Sequence, residues 1–119
     1  MTFEWIAFVE LAQRLAQEFP TDEAALRTAV SRAYFGAFCH AKQYAVEKLG
    51  FRPGKDADDH GRLRSSLKGK FSAVGIRLQQ IRELRNQADY ERDCPADWPL
   101  SVGVALREAA KIVQQLPLA

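Results

Sequence analysis

Residues 77–92 read RLQQIRELRNQADYER. Wound at about 100° per residue, this stretch and the turn before it bring Val74, Leu78, Ile81, Leu84 and Ala88 into one apolar stripe, the mark of a helix laid against a core. Arg85 falls inside the stripe, between Leu78 and Ile81 in projection, and Asp89 falls at its edge one turn later. A plain amphipathic helix would carry leucine at 85. A guanidinium aimed at a core needs a partner, because an unpaired buried charge is very costly. Asp89 at i+4 is one candidate, although arginine followed by aspartate is the weaker order on a helix.

Outward from this stretch the chain keeps a helical period. The pattern around it predicts a helix over 71–91, closed by the Cys94-Pro95-Ala96-Asp97-Trp98-Pro99 turn. Asp97 then caps a last helix over 99–116, with Val102, Ala105, Leu106, Ala109, Ile112, Val113 and Leu116 in clean repeat. Upstream, HGRLRSSLK predicts a short helix over 60–68, with Leu63 and Leu67 inward and Arg62, Arg64 and Lys68 outward, broken by Gly69. The Gly, Pro and Asp content of 50–59 predicts a loop, in which Asp58 or Asp59 serves as the next helix's N-cap. Asp56, Asp58, Asp59 and His60 lack the spacing and closing Glu of a calcium loop, so no metal site is expected.

A long helix precedes that loop, capped by Thr21 and ended by Gly50, with Asp22 and Glu23 suited to its N-terminal dipole. It is apolar almost all round, which predicts a central position. Its narrow third face holds Arg32, Gly36, Cys39 and Gln43, so Arg32 is a second misplaced guanidinium. Gly36 costs roughly 1 kcal/mol against alanine, which suggests close approach of another helix or a ligand. His40 reads as a satisfied core or boundary histidine. A first helix over 2–19, with Thr2 at its start, aligns Trp5, Phe8, Ala12, Leu15 and Phe19 and stops at Pro20. No segment alternates with period two, so residues 1–119 read as one all-α domain, a bundle of four to five helices.

Net charge is +2, but residues 60–92 hold eight basic and three acidic side chains. Arg62, Arg64, Lys68, Lys70, Arg77 and Arg82 form a candidate nucleic-acid patch in the segment that carries Arg85. No apolar run approaches a membrane span, and the N-terminus, with Glu4 and Glu10, lacks the basic region of a secretory signal. Cys39 and Cys94 fall in no metal-ligand or paired spacing, which favours a reduced, cytoplasmic setting. There is no Gly-rich phosphate loop, no zinc-type cluster and no nucleophile–histidine pair at a recognisable offset, so no cofactor is expected. Arginines beside a tyrosine and a carboxylate suit an anionic ligand such as phosphate.

Three motifs in order carry a family resemblance: Ser31-Arg32-Ala33-Tyr34-Phe35; Asp59-His60 with Leu63 and Leu67; and Leu84-Arg85-Asn86-Gln87-Ala88-Asp89-Tyr90. Together they resemble the HEPN (higher eukaryotes and prokaryotes nucleotide-binding) family over about 26–90. The resemblance implies a helical bundle, usually a homodimer, and for many members a metal-independent ribonuclease of a toxin–antitoxin or defence pair. A small nucleotidyltransferase often serves there as antitoxin. The family site is an arginine followed four to six residues later by a histidine, completed by the dimer mate. Members without the histidine bind nucleic acid or nucleotides without cutting.

Arg85 matches the family arginine, but the position five later is Tyr90, and no histidine follows. A phenol with pKa about 10 is a poor base for a ribose hydroxyl. Along an unbroken helix Tyr90 also lies about 140° round from Arg85, whereas Asp89 lies about 40° round. Arg85, Asp89, Tyr90 and Arg32 are the candidate catalytic or phosphate-binding residues, with Asn86 and His60 in support. Two readings stay open: a phosphate-facing Arg85, or a buried polar cluster of Arg32, Arg85 and Asp89 that fixes helix packing. The candidate dimer faces are those of Gly36 and Arg85.

Overall fold

The computed structural model describes residues 2–54 and 58–118. The elements are α1 (Ile6–Glu18), α2 (Glu23–Lys48), α3 (Asp59–Ser66), a 3-10 turn (Gly69–Phe71), α4 (Ser72–Tyr90) and α5 (Trp98–Gln115). The protein is all-α, with five helices and no strand among the described residues. No described helix is long and apolar enough to cross a membrane.

The core is arranged around α2, which packs against each of the other four helices. Ala29, Ala33, Ala37, Ala41 and Ala45, spaced four apart, are all fully buried. A row of small side chains at that spacing lets neighbouring backbones come close. Leucine and isoleucine fill the rest from the facing helices: Leu63 from α3, Leu78 and Ile81 from α4, Ile112 from α5. Gly36 belongs to the same device. A Cβ there would lie 2.9 Å from Val9 Cγ2 and 3.0 Å from the Trp5 carbonyl oxygen, so α1 crosses α2 on top of it. The expected close approach is therefore that of a helix, and α1 already occupies this candidate dimer face.

Local signals set the ends, with some shifts. Asp22, not Thr21, caps α2: its Oδ1 accepts from the Ala25 N–H at 3.2 Å, because the helix starts one residue later than expected. Asp97 caps α5 as expected, accepting from the Leu100 N–H. α1 begins at Ile6, which leaves Thr2 without a capping role, and Phe19 sits exposed at its C-cap. Asp58 occupies the position before α3 without a side-chain cap bond, and the Asp59 carboxylate turns back to accept from the Gly54 N–H at 2.8 Å. The Asp56 reading lies outside the described residues. His40 is a satisfied core histidine, its Nε2–H donating to the Leu116 carbonyl at 2.7 Å.

The C-terminus of α4 is held by a residue that the sequence pattern did not single out. Arg27, on the first turns of α2, donates to four carbonyls: Gln87 (3.4 Å), Ala88 (3.2 Å), Glu91 (2.8 Å) and Arg92 (3.2 Å). Its guanidinium lies 4.6 Å over the Trp98 ring. The last carbonyls of a helix lack intrahelical partners and carry negative partial charge, so one cation satisfies several of them at once. This clamp fixes where α4 ends.

Candidate phosphate-binding cleft

A cleft of about 500 Å³ opens between α2, the start of α3 and the last two turns of α4. Tyr34, Phe38 and Lys42 come from one face of α2 at a spacing of four, and Arg82, Arg85, Asn86 and Asp89 from one face of α4. Tyr34 and Phe38 stack in parallel, 5.7 Å between centroids, and give the cleft an aromatic floor. Four cations line it, Arg32, Lys42, Arg82 and Arg85, against two carboxylates, Asp59 and Asp89.

Arg85 is recessed, its side chain 22% exposed. Its Cζ lies 5.0 Å from the Tyr34 ring centroid and 5.8 Å from that of Tyr90. Nη1 donates to the Tyr90 hydroxyl at 3.4 Å, and the Asp89 carboxylate is 4.0 Å away. Asp89 instead accepts from Ser31 Oγ at 3.1 Å. The Nε atoms of Arg82 and Arg85, like that of Arg77 outside the cleft, are buried and have no acceptor. Tyr90 reaches Arg85 despite its place on the helical wheel, because it is the last residue of α4 and its long side chain, 74% exposed, folds back over the end.

Asp59 is consumed within the protein. It pairs with Lys42 Nζ at 3.0 Å and with Arg62 Nη1 at 3.1 Å. The hydrogen bond from Lys42, with that from the Gly54 N–H, holds its carboxyl below the usual range. His60 is buried beside it. Gln79 Oε1 accepts from Arg64 Nη1 while its amide nitrogen donates to Glu83, so His60 Nε2–H donates to Gln79 Oε1 at 3.2 Å. Nδ1 is then bare and accepts the Tyr34 hydroxyl at 2.8 Å. Burial, with the nearby Arg82 charge, pushes the His60 pKa down; burial pushes the Tyr34 phenol up, against the pull of Arg85.

The sequence-derived candidates sort into three groups. Arg85, Asp89, Tyr90, Asn86 and His60 meet in the cleft, and Arg82 joins them from the expected surface patch. Arg32 lines the rim, but it lies over the rings of Phe35 (4.8 Å) and Phe8 (5.5 Å) and makes no hydrogen bond to Asp89. The compact Arg32–Arg85–Asp89 cluster is therefore not formed, because Phe35 of α2 and Phe8 of α1 hold the Arg32 guanidinium between aromatic faces. The patch divides. Arg77 pairs with Glu108 of α5, Arg62 donates to Asp59 and the Arg52 carbonyl, Arg64 reaches Gln79, and Lys70 lies over Phe71. Lys68 is exposed on the surface. The sequence pattern singles out none of Phe38, Lys42 and Gln79, and Ser31 and Tyr34 enter it only as part of a motif. The fourfold spacing of 34, 38 and 42 on a helix was the signal available.

Fold and cleft together define an all-helical protein with a cationic, aromatic-floored recess. Comparison with protein-family models, curated proteins and solved structures returns no match.

Proposed function

We propose that this cleft binds the phosphodiester backbone of RNA, and that the chain is a HEPN-like, toxin-like member of a toxin–antitoxin or defence pair. One observation carries the reading: Arg82 and Arg85 line a cleft whose carboxylates already hold protein partners, Arg82 has no ion-pair partner among the described residues, and the carboxylate paired with Arg85 lies 4.0 Å off. Guanidinium charge without a close carboxylate is under-compensated, and an oxyanion in the cleft supplies acceptors for the guanidinium N–H groups that face it. In cleavage, Arg82 and Arg85 would stabilise charge on the phosphorane formed by attack of a ribose 2′-hydroxyl. Aromatic rings beside the cations suit an unstacked base. A homodimer, as the resemblance implies, would bring two such clefts together, and a cytoplasmic setting agrees with the two unpaired cysteines.

A second reading is favoured by the absence of a histidine after Arg85. On it the chain is a non-catalytic nucleotide- or partner-binding domain working with a nucleotidyltransferase. The test measures binding of single-stranded RNA by fluorescence anisotropy and cleavage in EDTA, for wild type, Arg85→Ala, Tyr90→Phe and Arg77→Ala. Loss of a charge-assisted phosphate contact in Arg85→Ala should weaken binding about ten- to hundredfold. Arg77→Ala should bind as wild type, since Arg77 is spent on Glu108. Binding without cleavage moves the assignment to the second reading; unchanged binding in Arg85→Ala refutes the cleft.

A further inference from the structure

The chain lacks a histidine after Arg85, yet one stands in the same cleft from a different helix. We infer that Tyr34 and His60 form a proton-donating pair for an oxyanion held by Arg82 and Arg85: anion binding draws a proton onto His60, and the Tyr34 hydroxyl turns its own proton toward the anion. The inference rests on the phosphate-binding reading above and assigns residues to it.

Geometry sets the resting polarity. With Nε2–H fixed on Gln79, Nδ1 accepts from Tyr34, so the phenolic proton points away from the cleft's cations and into the protein. The Tyr34 ring lies directly under the Arg85 guanidinium, 5.0 Å from Cζ, so an anion on that guanidinium is next to the phenol. Protonation of Nδ1 reverses the chain. The imidazolium then donates to the Tyr34 oxygen, and the phenolic proton is free to face the anion.

The groups around His60 say why the anion controls this reversal. From α2 it meets Tyr34 and the Phe38 ring; from α3, Arg64 and its neighbour Asp59; from α4, Gln79, Arg82 and Arg85. Asp59 is held by Lys42 and Arg62, so it offers little relief. Three arginines and burial thus oppose a proton on the ring. An oxyanion between Arg82 and Arg85 offsets two of them. The proton comes from solvent, and by reciprocity a protonated His60 tightens anion binding by the same factor. Tyr34 is the group that touches the ligand; His60 is a positioning residue that sets the direction of the phenolic proton.

The test is an NMR pH titration of both histidines, with sodium sulfate replacing sodium chloride at constant ionic strength. Sulfate is a tetrahedral oxyanion that does not itself titrate near neutrality. Sulfate should raise the His60 midpoint by roughly one pH unit, the scale of one added opposite charge nearby. His40, bound to the Leu116 carbonyl, should not move. Tyr34→Phe should shrink the His60 shift, because the path from imidazole to anion is cut. Perturbed Arg82 and Arg85 Nε resonances with an unchanged His60 midpoint overturn the pair and leave the phosphate-binding reading standing. An undiminished shift in Tyr34→Phe overturns the role of Tyr34. Arginine resonances indifferent to sulfate refute the anion site itself, and the pair with it.

Discussion

Replacing Arg27 by alanine removes one side chain of α2 that satisfies four carbonyls at the end of α4 and just beyond it, so its cost can be built from parts. Two of the bonds count most, that to Ala88 because it is part-buried at 3.2 Å and that to Glu91 because it is short at 2.8 Å; the bond to Gln87 is long and that to Arg92 is both exposed and no shorter than 3.2 Å. Counting about 1 kcal/mol net for each good bond and little for the rest gives about 2 kcal/mol. The guanidinium over Trp98, with a side chain only 16% exposed, adds about 1 kcal/mol. The ion pair to Glu23 is largely exposed and adds almost nothing. The total is about 3 kcal/mol, which for a chain of this length lowers the melting temperature by about 12 °C. Thermal and urea denaturation followed by circular dichroism check the value. Amide exchange should quicken at the end of α4, where the Glu91 N–H bonds to the Gln87 carbonyl. Arg27→Lys should fall between, since an ammonium keeps the charge but loses the planar fork. A loss of less than about 1 kcal/mol in Arg27→Ala, or a full loss in Arg27→Lys, would refute the clamp as the device that ends α4.

Gly36→Ala gains helix propensity, but its Cβ meets Val9 and the Trp5 carbonyl, so a net loss of about 1–3 kcal/mol is expected in urea melts, and a neutral or stabilising result would show that α1 can withdraw. Two groups set the acid limit of stability. The His60 pKa is lowered in the fold, so the unfolded chain binds the extra proton first; its contribution is present above about 6.5 and is lost as pH falls toward the folded value. Asp59 is lowered too, so its contribution is present above about 3.8 and lost below. Melts across pH should show both descents, and His60→Gln should erase the upper one only.

The helices were legible because α1, α4 and α5 each carry an apolar stripe, α2 is apolar almost all round, and caps or breakers mark most of the ends, as at Asp97 and Gly69. The mislaid details have local causes. Thr21 and Asp22 are both good caps, and the pattern cannot choose between neighbours; the hydrogen bond to Ala25 does. Arg85 was conspicuous because it interrupts an apolar stripe. Arg82 was not, because on the helical wheel it reads as one more surface cation. Arg32 was conspicuous for the same reason as Arg85, but its partners are the Phe35 ring one turn on and the Phe8 ring of α1, and the second of these a wheel cannot show. Arg27 left no local trace at all, since its carbonyl partners lie 60 to 65 residues on. The Tyr34–His60 contact also spans two helices, and only packing reveals it.

The alanine row along α2 bears on how the chain is made. α1 can cover part of α2 as soon as both exist, but α5 is needed for the rest. From Lys48 to the end of α5 at Gln115 the ribosome must add 67 residues, which takes about 3–13 s at ordinary synthesis rates. During that wait the buried faces of α2 present mostly alanine methyl groups, with Leu26, Val30 and Tyr34 the larger exceptions, a weaker target for the hydrophobic contacts that drive nascent chains to aggregate than a leucine-lined helix. The leucines and isoleucines that complete the core arrive on α3, α4 and α5, elements made after α2. The bulk of the core's oily surface thus emerges only when a finished partner is already waiting for it.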